Sequence, residues 1–486
     1  MGERDWQLYI GGDWVDGGAG TYEVVNPATE EVVGNAPQAT VDQSLDATAA
    51  AADAFHTWSR TTPEERAALL ERVAELVDER TEQLVPLVQA ETGATMRVTK
   101  SMQVPQVAAR FRRYAKGALE TRIIPLEPSV MPTTALAPGG LVSGVGHRAP
   151  VGVVSCITSY NFPIVNMAGK LGPALAMGNT VVVKPAPQDP LAVIELVKLF
   201  EEAGFPPGVV NLSCGTDVAA SEALVSSPNV DMISFTGSTG VGQRIGEVGG
   251  GRMKRLLLEL GGKGACIVFD DADLKAAIGG ISSVWGFHSG QICTAPTRVI
   301  CQRGVYEQLV AGLAQAASHM KVGDPLARDT VVGPVITGVH RDRVEGYIAK
   351  GVEEGAVVVA GGERPDMEKG FYVAPTLLAH ATNQMTPVRE EIFGPVVVVV
   401  PFDEPEEAVE IANDSDFGLY SYVFSADTSR AWDVARQLRS GNVGINGLQR
   451  NHEAPFGGFK QSGVGRDGGS YGLHAYSEMQ SIVWSS

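Results

Sequence analysis

The chain has 486 residues, a formal net charge of −18 and an apolar fraction of 44%. A single hydrophobic core stops growing well below this length, so we expect two or three structural units. The excess of acidic residues argues against a nucleic-acid partner, because phosphate binding requires clustered Lys and Arg. The sequence has no basic amphipathic segment of the kind that binds anionic membranes.

The start of the chain, Met1 to Trp6, has no apolar core and is therefore not expected to act as a secretory signal. The longest aliphatic run, Val396 to Val400, is too short to cross a bilayer. The cysteines lack CxxC or metal-ligand spacing, so we expect reduced thiols, no metal site and a cytoplasmic location. They are Cys156, Cys214, Cys266, Cys293 and Cys301.

Two segments near the amino end carry local structural signals. Between Trp6 and Val25, polar and apolar residues alternate around glycine pairs, which predicts short strands and turns. Thr62-Pro63-Glu64-Glu65 predicts a helix start, with Thr as the cap, Pro at the first helical position and Glu three residues after the cap. The apolar residues that follow recur at helical spacing and form one face: Leu69, Leu70, Val73, Leu76 and Val77.

From about residue 150, short β-branched runs alternate with helix-like segments, which is typical of parallel strands in a doubly wound α/β sheet. The first series of predicted strands is Val151–Ile157, Thr180–Val183, Val209–Leu212, Met232–Phe235 and Leu256–Leu260. The second series is Ala265–Phe269, Arg298–Cys301, Val357–Ala360, Val396–Phe402, Tyr422–Phe424 and Val443–Asn446. Two such units in succession leave a cleft between them, where a cofactor and a substrate could meet.

Two stretches fit neither series. Residues 131–148 are rich in Pro and Gly, and residues 476–486 have the pattern of a single terminal strand. A lone strand is not stable, so we expect it to pair elsewhere, and another subunit is one candidate.

Two motifs carry candidate catalytic groups. In Ser289-Gly290-Gln291-Ile292-Cys293-Thr294, a thiol lies between a Gly-containing turn and a strand, where a nucleophile can be exposed in a cleft. A buried core cysteine is the common alternative. In Leu258-Glu259-Leu260-Gly261-Gly262, a carboxylate ends an apolar strand, which suits a general base partly removed from water. The alternative is a salt bridge at the edge of a sheet.

Two further motifs offer donors. Asn161, in Thr158-Ser159-Tyr160-Asn161-Phe162-Pro163, has an amide that could stabilise an oxyanion, although Asn before Phe-Pro is commonly a turn residue. The Gly-rich turn from Phe235 to Gly242 enters a helix whose first N–H groups could meet a phosphate. Its spacing is not G-x-G-x-x-G, so the ordinary dinucleotide fingerprint is absent.

Taken together, these motifs resemble the aldehyde dehydrogenase superfamily over essentially the whole chain. Three more segments add to the resemblance: Val182–Ala186 to the adenosine-ribose segment, Glu390–Pro395 to the nicotinamide-ribose segment and Pro455–Gly463 to the signature near the carboxyl end. The resemblance implies an α/β fold with a Rossmann-like cofactor domain, an α/β catalytic domain and a small β oligomerisation arm. The implied ranges are 1–130 with 149–258 for the cofactor domain, 259–465 for the catalytic domain, and 131–148 with 470–486 for the arm of a homodimer or homotetramer.

The resemblance also assigns catalytic roles. Cys293 would add to an aldehyde as the nucleophile, and the Asn161 amide with the Cys293 backbone N–H would bind the resulting oxyanion. After hydride transfer to the nicotinamide, Glu259 would activate the water that hydrolyses the thioester.

By the same resemblance the cofactor is NAD or NADP, with Lys184 at the adenosine ribose, Ser238 at the pyrophosphate and Glu391 at the nicotinamide ribose. Many NAD-preferring members have Glu where this chain has Pro187. Loss of that carboxylate removes a ribose acceptor and a charge that would repel a 2′-phosphate, so we expect NADP to be accepted alongside NAD. The expected cofactor-binding residues are Thr158, Lys184, Pro187, Gly237, Ser238, Gly242, Glu391 and Phe393.

The substrate channel departs from the family pattern. Gly169 stands where a bulky aromatic residue is common, Tyr160 stands where many relatives have Trp, and Asn166 is polar where relatives are usually apolar. A channel widened at Gly169 but retaining aromatic walls would suit a flat aromatic aldehyde such as benzaldehyde. The expected walls are Phe162, Phe287 and Phe456.

Arg450, in the loop with Asn451 and His452, supports an alternative substrate class. It could bind a substrate carboxylate bidentately, as in a semialdehyde dehydrogenase, or it could be a solvated loop charge. His288, five residues before Cys293, has no counterpart role in the family and receives none.

Other functions remain open at this point. A Cys-dependent acyl transferase would share Cys293 but would need no nicotinamide segment. Some CoA-acylating relatives lack the base, so the presence of Glu259 favours water as the acceptor. A non-catalytic cofactor-binding homologue would be expected to lack Cys293 or Glu259, and both are present.

Overall fold

The computed structural model describes residues 6–485. The prediction that Met1 to Trp6 is not a secretory signal falls mostly outside the described residues, because Met1 to Asp5 are not among them. Within residues 6–485 the strands form four sheets. Elements are numbered in chain order.

The largest sheet has eight strands, and its centre is parallel because buried β-branched runs are covered by helices on both faces. Its strands are β1 Leu8–Ile10, β2 Asp13–Val15, β8 Val153–Ile157, β9 Thr180–Lys184, β10 Val210–Leu212, β11 Met232–Thr236, β12 Arg255–Glu259 and β20 Gly463–Val464. The order is β2-β1-β10-β9-β8-β11-β12-β20, with β1, β2 and β20 antiparallel to their neighbours. The first predicted strand series is confirmed to within a few residues at each end.

The second sheet has seven strands in the order β15-β16-β17-β14-β13-β18-β19. They are β13 Ala265–Val268, β14 Arg298–Gln302, β15 Val357–Ala360, β16 Thr376–Ala379, β17 Val396–Phe402, β18 Tyr420–Phe424 and β19 Asn442–Ile445. The second predicted series is confirmed, but β16 was missed. The predicted catalytic range 259–465 contains β20, which pairs with β12 in the first sheet.

The smaller sheets lie near the ends of the chain. A hairpin is formed by β3 Thr21–Val25 and β4 Val32–Pro37, and a four-stranded sheet by β5 Ile123–Pro125, β6 Ser129–Met131, β7 Gly140–Pro150 and β21 Ser477–Ser485. The terminal strand β21 runs antiparallel to β7 from Ser477 opposite Pro150 to Ser485 opposite Val142. The prediction that this strand pairs elsewhere is confirmed, and its partner belongs to the same chain.

The helices cover both large sheets. Helix α2 begins as predicted, because Thr62 accepts the Glu65 N–H while the Glu65 side chain accepts the Thr62 N–H. The helices are α1 Val41–Trp58, α2 Pro63–Glu79, α3 Thr81–Thr92, α4 Met96–Val98, α5 Val104–Ala118, α6 Pro163–Met177, α7 Leu191–Ala203, α8 Val218–Ser226, α9 Thr239–Gly250, α10 Leu274–Trp285, α11 Tyr306–Ser318, α12 Gly338–Glu353, α13 Thr386–Arg389, α14 Pro405–Asn413, α15 Thr428–Gln437 and α16 Gly469–Ala475. None of the helices in the described part of the chain is long and apolar enough to cross a membrane.

Candidate active site

The carboxyl ends of three neighbouring parallel strands meet at one edge of the large sheet. Ile157 at the end of β8 lies opposite Phe235 of β11, and Thr236 at the end of β11 lies opposite Glu259 of β12. The strand order reverses direction between β9 and β11, and ligands bind in open α/β sheets at such a switch point. The segments that carry Asn161, Ser238 and Glu259 therefore begin at the same edge.

Cys293 follows a strained turn. His288 and Ser289 have φ values of +49° and +56°, in the left-handed region that side chains rarely adopt. A Cβ on Gly290, at φ +70°, would collide with the Gly394 carbonyl oxygen, so only glycine fits there. The Ser289 hydroxyl donates to the Gly333 carbonyl over 2.7 Å and helps to hold the turn. Cys293, which follows this turn, is half-buried and is therefore not a fully buried core cysteine.

Hydrogen bonds fix the chain on both sides of the thiol. The Asn161 side chain donates from Nδ2 to the Gln291 carbonyl over 2.9 Å, and the Tyr422 hydroxyl donates to the Thr294 carbonyl over 2.9 Å. An amide carries two N–H donors, so this bond leaves the second one of Asn161 for a ligand. The structure thus brings Asn161 within two residues of Cys293.

The end of strand β12 touches the nucleophile loop. A Cβ on Gly262 would collide with the Cys293 carbonyl oxygen, so the absence of a side chain permits this approach. The Gly262 N–H donates to Glu391 Oε1 over 2.8 Å. Burial raises the pKa of Glu391 to about 7, against the lowering effect of that hydrogen bond. Glu391, the predicted nicotinamide-ribose anchor, therefore lies beside the thiol.

Glu259 is buried, and neither of its carboxylate oxygens has a hydrogen-bond partner among residues 6–485. A Cβ on Gly457 would lie 2.9 Å from Glu259 Oε1, so the carboxylate borders the segment near the carboxyl end. Burial raises the pKa of Glu259 well above its usual value; the Asp467 charge adds to the rise and Lys170 opposes it. An unpartnered carboxyl with a raised pKa is suited to act as a general base.

The thiol has a similar electrostatic environment. Burial raises the pKa of Cys293 to about 12, Glu391 adds to the rise, and the Arg450 guanidinium opposes it. A thiol in this environment is protonated at neutral pH, so a base or a nearby positive charge must assist its ionisation.

Two predicted cofactor residues line the end of β9. The Lys184 ammonium is buried and donates only to backbone carbonyls, those of Pro185 at 3.0 Å and Gly215 at 3.1 Å. The Thr158 hydroxyl is buried without a partner within the described chain. Pro187 is half-buried in the turn after Lys184. These polar groups fit the ribose hydroxyls of a nucleotide.

The predicted phosphate turn is formed as expected. Ser238 caps helix α9, whose twelve residues give its amino end a positive dipole, and the Gly237 N–H donates to the Glu259 carbonyl over 3.0 Å. A Cβ on Gly242 would collide with Leu260, which explains this glycine by packing.

Tyr160 lies on the side of the predicted cofactor residues. Its ring centroid is 5.9 Å from that of Phe393 and 6.2 Å from that of His340. Tyr160 therefore packs beside the predicted nicotinamide-ribose segment, and its place in the substrate channel stays a prediction.

The widening predicted at Gly169 is wrong. A Cβ there would collide with Nη1 of Arg110, so the guanidinium fills the space that the missing side chain leaves. Arg110 lies on helix α5, three residues after Val107 and four before Tyr114, and both are buried. The sequence could have indicated that Arg110 has a buried role, since it lies at helical spacing between apolar residues of one face, where Arg is unusual.

The remaining predicted channel residues lie near the same cleft. Phe162 packs on His288 with ring centroids 5.3 Å apart, and Phe287 is half-buried. The Asn166 amide donates to Ser159 over 3.4 Å, which gives this polar residue a structural partner. Burial lowers the pKa of His288 to about 4, so its imidazole is neutral at physiological pH.

The loop before Pro455 borders the cleft. The guanidinium of Arg450 lies 3.8 Å from the ring centroid of Phe456, whereas Asn451 accepts the Glu453 N–H in a local turn. His452 is exposed.

Comparison with known proteins agrees with this geometry. A model of the aldehyde dehydrogenase family matches residues 14–482. The chain is 38% identical to 3-succinoylsemialdehyde-pyridine dehydrogenase of a Pseudomonas species over 485 residues, 99% of each chain. It is also 38% identical to the mitochondrial succinate-semialdehyde dehydrogenase of Oryza sativa subsp. japonica over 478 residues, 98% of this chain and 89% of that one.

A solved structure supports the same relationship. Betaine aldehyde dehydrogenase of Staphylococcus aureus in complex with NAD+ superposes with a TM-score of 0.94 at 34% identity, covering 99% of this chain and 95% of that chain. The predicted α/β fold is confirmed by this likeness. Because the family model and full-length relatives agree with the strand-end motifs, the chain belongs to the aldehyde dehydrogenase family.

Proposed function

We propose that this enzyme oxidises an aldehyde to a carboxylic acid with NAD(P), through a thiohemiacetal and a thioester on Cys293. The observation that supports this most strongly is the contact of the Asn161 amide with Gln291, two residues from the thiol. The unpartnered carboxylate of Glu259 adds a base to the same cleft.

The first step is thiol addition. The Cys293 sulfur forms a bond to the aldehyde carbon while its proton passes to Glu259, whose raised pKa favours acceptance. The carbonyl electron pair moves to oxygen, where the second Asn161 N–H and the Cys293 backbone N–H stabilise the charge.

The residues at the strand ends fit a dinucleotide. Lys184 and the Thr158 hydroxyl would hold the adenosine ribose, Ser238 and the start of α9 the pyrophosphate, and Glu391 the nicotinamide ribose. When bound, the nicotinamide accepts the hydride that leaves the tetrahedral carbon, and a thioester remains on Cys293.

Hydrolysis then releases the acid. Glu259 first releases to solvent the proton taken from the thiol and then takes a proton from water, whose oxygen attacks the thioester carbon. The bond to the Cys293 sulfur breaks, and the thiolate that leaves recovers a proton from Glu259. The bond that Asn161 makes to Gln291 keeps the oxyanion donor in place through this second addition.

Several finer proposals accompany the activity. Pro187 offers no carboxylate to repel a 2′-phosphate, so NADP serves alongside NAD. The cofactor domain is the first sheet with its helices and the catalytic domain the second sheet with its helices, so β5 and β6 leave the predicted range 1–130 and β20 leaves the predicted range 259–465. The arm, 131–148 with 470–486, joins subunits into a homodimer or homotetramer.

The relatives do not decide the substrate class. Their names include succinate semialdehyde and betaine aldehyde, which carry opposite charges. The expectation of an aromatic aldehyde was based on a channel widened at Gly169. The Arg110 guanidinium fills that space, so the structure gives no support for the widening.

The activity is tested by following absorbance at 340 nm with the purified protein, benzaldehyde or butanal, and NAD+ or NADP+. We expect cofactor reduction that Cys293→Ala abolishes. Cys301→Ala, in strand β14, is the matched control and should retain turnover. Reduction that survives Cys293→Ala would contradict the proposal.

A further inference from the structure

Two arginines from distant segments approach the aldehyde side of the cleft. Arg110 comes from helix α5 and fills the space over Gly169, which lies two turns after Asn161. Arg110 is half-buried, so its position is set by packing as well as by solvent. Its guanidinium therefore occupies the position that the sequence predicted for a channel wall.

Arg450 approaches the same region from the loop before Pro455. Its guanidinium stacks on the Phe456 ring at 3.8 Å, and Phe456 exchanges backbone hydrogen bonds of 2.7 and 2.6 Å with Asp467. The next residue, Gly457, borders the Glu259 carboxylate. The Phe456 ring, held by the backbone hydrogen bonds to Asp467, fixes the position of the Arg450 guanidinium through stacking. At this position the Arg450 charge lowers the pKa of both Glu259 and Cys293.

The two guanidinium groups lie close enough to affect each other. The Arg450 charge lowers the pKa of Arg110, and both lower the pKa of His452. Asp467 is the carboxylate that acts most strongly on Arg110, and it already accepts the Gly468 N–H over 2.7 Å.

Neither guanidinium has a hydrogen bond or an ion pair within residues 6–485. By contrast Arg113, one turn further along α5, pairs with both Glu120 and Glu453. In a chain with a net charge of −18, two cations that make no ion pair in the described residues, although the Asp467 carboxylate lies beside Arg110, are unusual. A planar guanidinium pair is the arrangement that binds a carboxylate in bidentate fashion.

We propose that Arg110 and Arg450 bind a carboxylate at the far end of the aldehyde, so that the enzyme prefers carboxylated aldehydes to uncharged ones. The inference rests on the proposed aldehyde oxidation. Phe456 lies beneath Arg450 and provides an apolar surface for the spacer between the two ends of the substrate. The substrate class is an aldehyde with a carboxylate separated from its carbonyl by a short chain or a ring.

The preference is measured with matched pairs of aldehydes that differ in charge. Succinic semialdehyde is compared with butanal, and 4-carboxybenzaldehyde with 4-methylbenzaldehyde, by kcat/KM with saturating cofactor. A hydrogen bond to a charged group contributes enough for about a tenfold to hundredfold preference. We expect the carboxylated member to be favoured by at least about tenfold in one pair, and equal values in both pairs would overturn the inference.

Single variants then assign the preference to the two arginines. Arg110→Met and Arg450→Met should each lower kcat/KM for the favoured carboxylated aldehyde, relative to its uncharged counterpart, about tenfold or more. Arg450→Lys should restore part of the preference. Arg328→Met, an exposed arginine in another loop, is the matched control and should behave as the wild type.

The ratio within each pair separates recognition from folding, since a destabilised variant loses activity on both members. Should Arg110→Met fail to fold, Arg450→Met in the exposed loop decides alone, and an unchanged ratio there overturns the inference. Failure of the proposed function looks different, because the wild type would then reduce cofactor with neither member of any pair.

Discussion

Replacing Gly262 by alanine should slow aldehyde oxidation about a hundredfold without unfolding the protein. A Cβ at this position would approach the Cys293 carbonyl oxygen to well under 3.0 Å, whereas ordinary contact begins at 3.4 Å. The nucleophile loop must therefore retreat by about 1 Å, and a misplacement of that size at a reacting group costs about 10²-fold in rate.

The assay combines kcat/KM for benzaldehyde and butanal with the rate of Cys293 alkylation by iodoacetamide. Gly262→Ala should lower kcat/KM and change the alkylation rate, while thermal unfolding remains cooperative. Gly246→Ala is the matched control, because a Cβ there meets no atom within 4 Å. If Gly262→Ala keeps kcat/KM within about twofold of the wild type, the contact between strand β12 and the nucleophile does not position the thiol.

Three further predictions address the donor, the cofactor and the pH dependence. Asn161→Ala removes one oxyanion donor and should lower kcat about 10²–10³-fold in steady-state assays, and a smaller effect than tenfold would contradict the assigned role. Pro187→Glu introduces a carboxylate near Lys184, which would repel the 2′-phosphate of NADP. We expect kcat/KM with NADP to fall at least about tenfold and kcat/KM with NAD to stay close to the wild-type value. Equal losses with both cofactors would argue against repulsion of a 2′-phosphate. Because burial raises the pKa of Glu259 well above its usual value, the base form is lost as pH falls through that raised pKa. The value of kcat/KM should therefore rise as pH increases through it, and a fall over the same range would contradict the assignment.

The sequence was informative where one physical cause dominates. Buried parallel strands need uninterrupted β-branched runs, so β9 and β17 were recognisable from composition alone. Thr62 and Glu65 likewise predicted the start of α2, because a capping box is a local interaction. Short strands such as β16 and the two-residue β20 were missed, since pairing with neighbours creates them and local sequence does not.

The catalytic residues were predicted by motif, and their placement needed the fold. Asn161 and Cys293 are remote in sequence, and the fold brings them together so that Asn161 donates a hydrogen bond to Gln291. The error at Gly169 has a clear origin: a missing side chain was read as empty space, while Arg110 on a different helix fills it. Compensation between distant positions is a tertiary effect, and spacing within one segment does not reveal it.

The most direct test of the account is to trap the thioester. In Glu259→Gln the thiol and the attacking water both lose their base, so incubation with aldehyde and NAD+ should release reduced cofactor slowly, up to about one per active site, before the still slower hydrolysis limits turnover. Mass spectrometry of the digested protein should then find the acyl group on the peptide that carries Cys293. An acyl group on another residue, or full turnover with no trapped adduct, would contradict the claim that Asn161, Glu259 and Cys293 act on one carbonyl carbon.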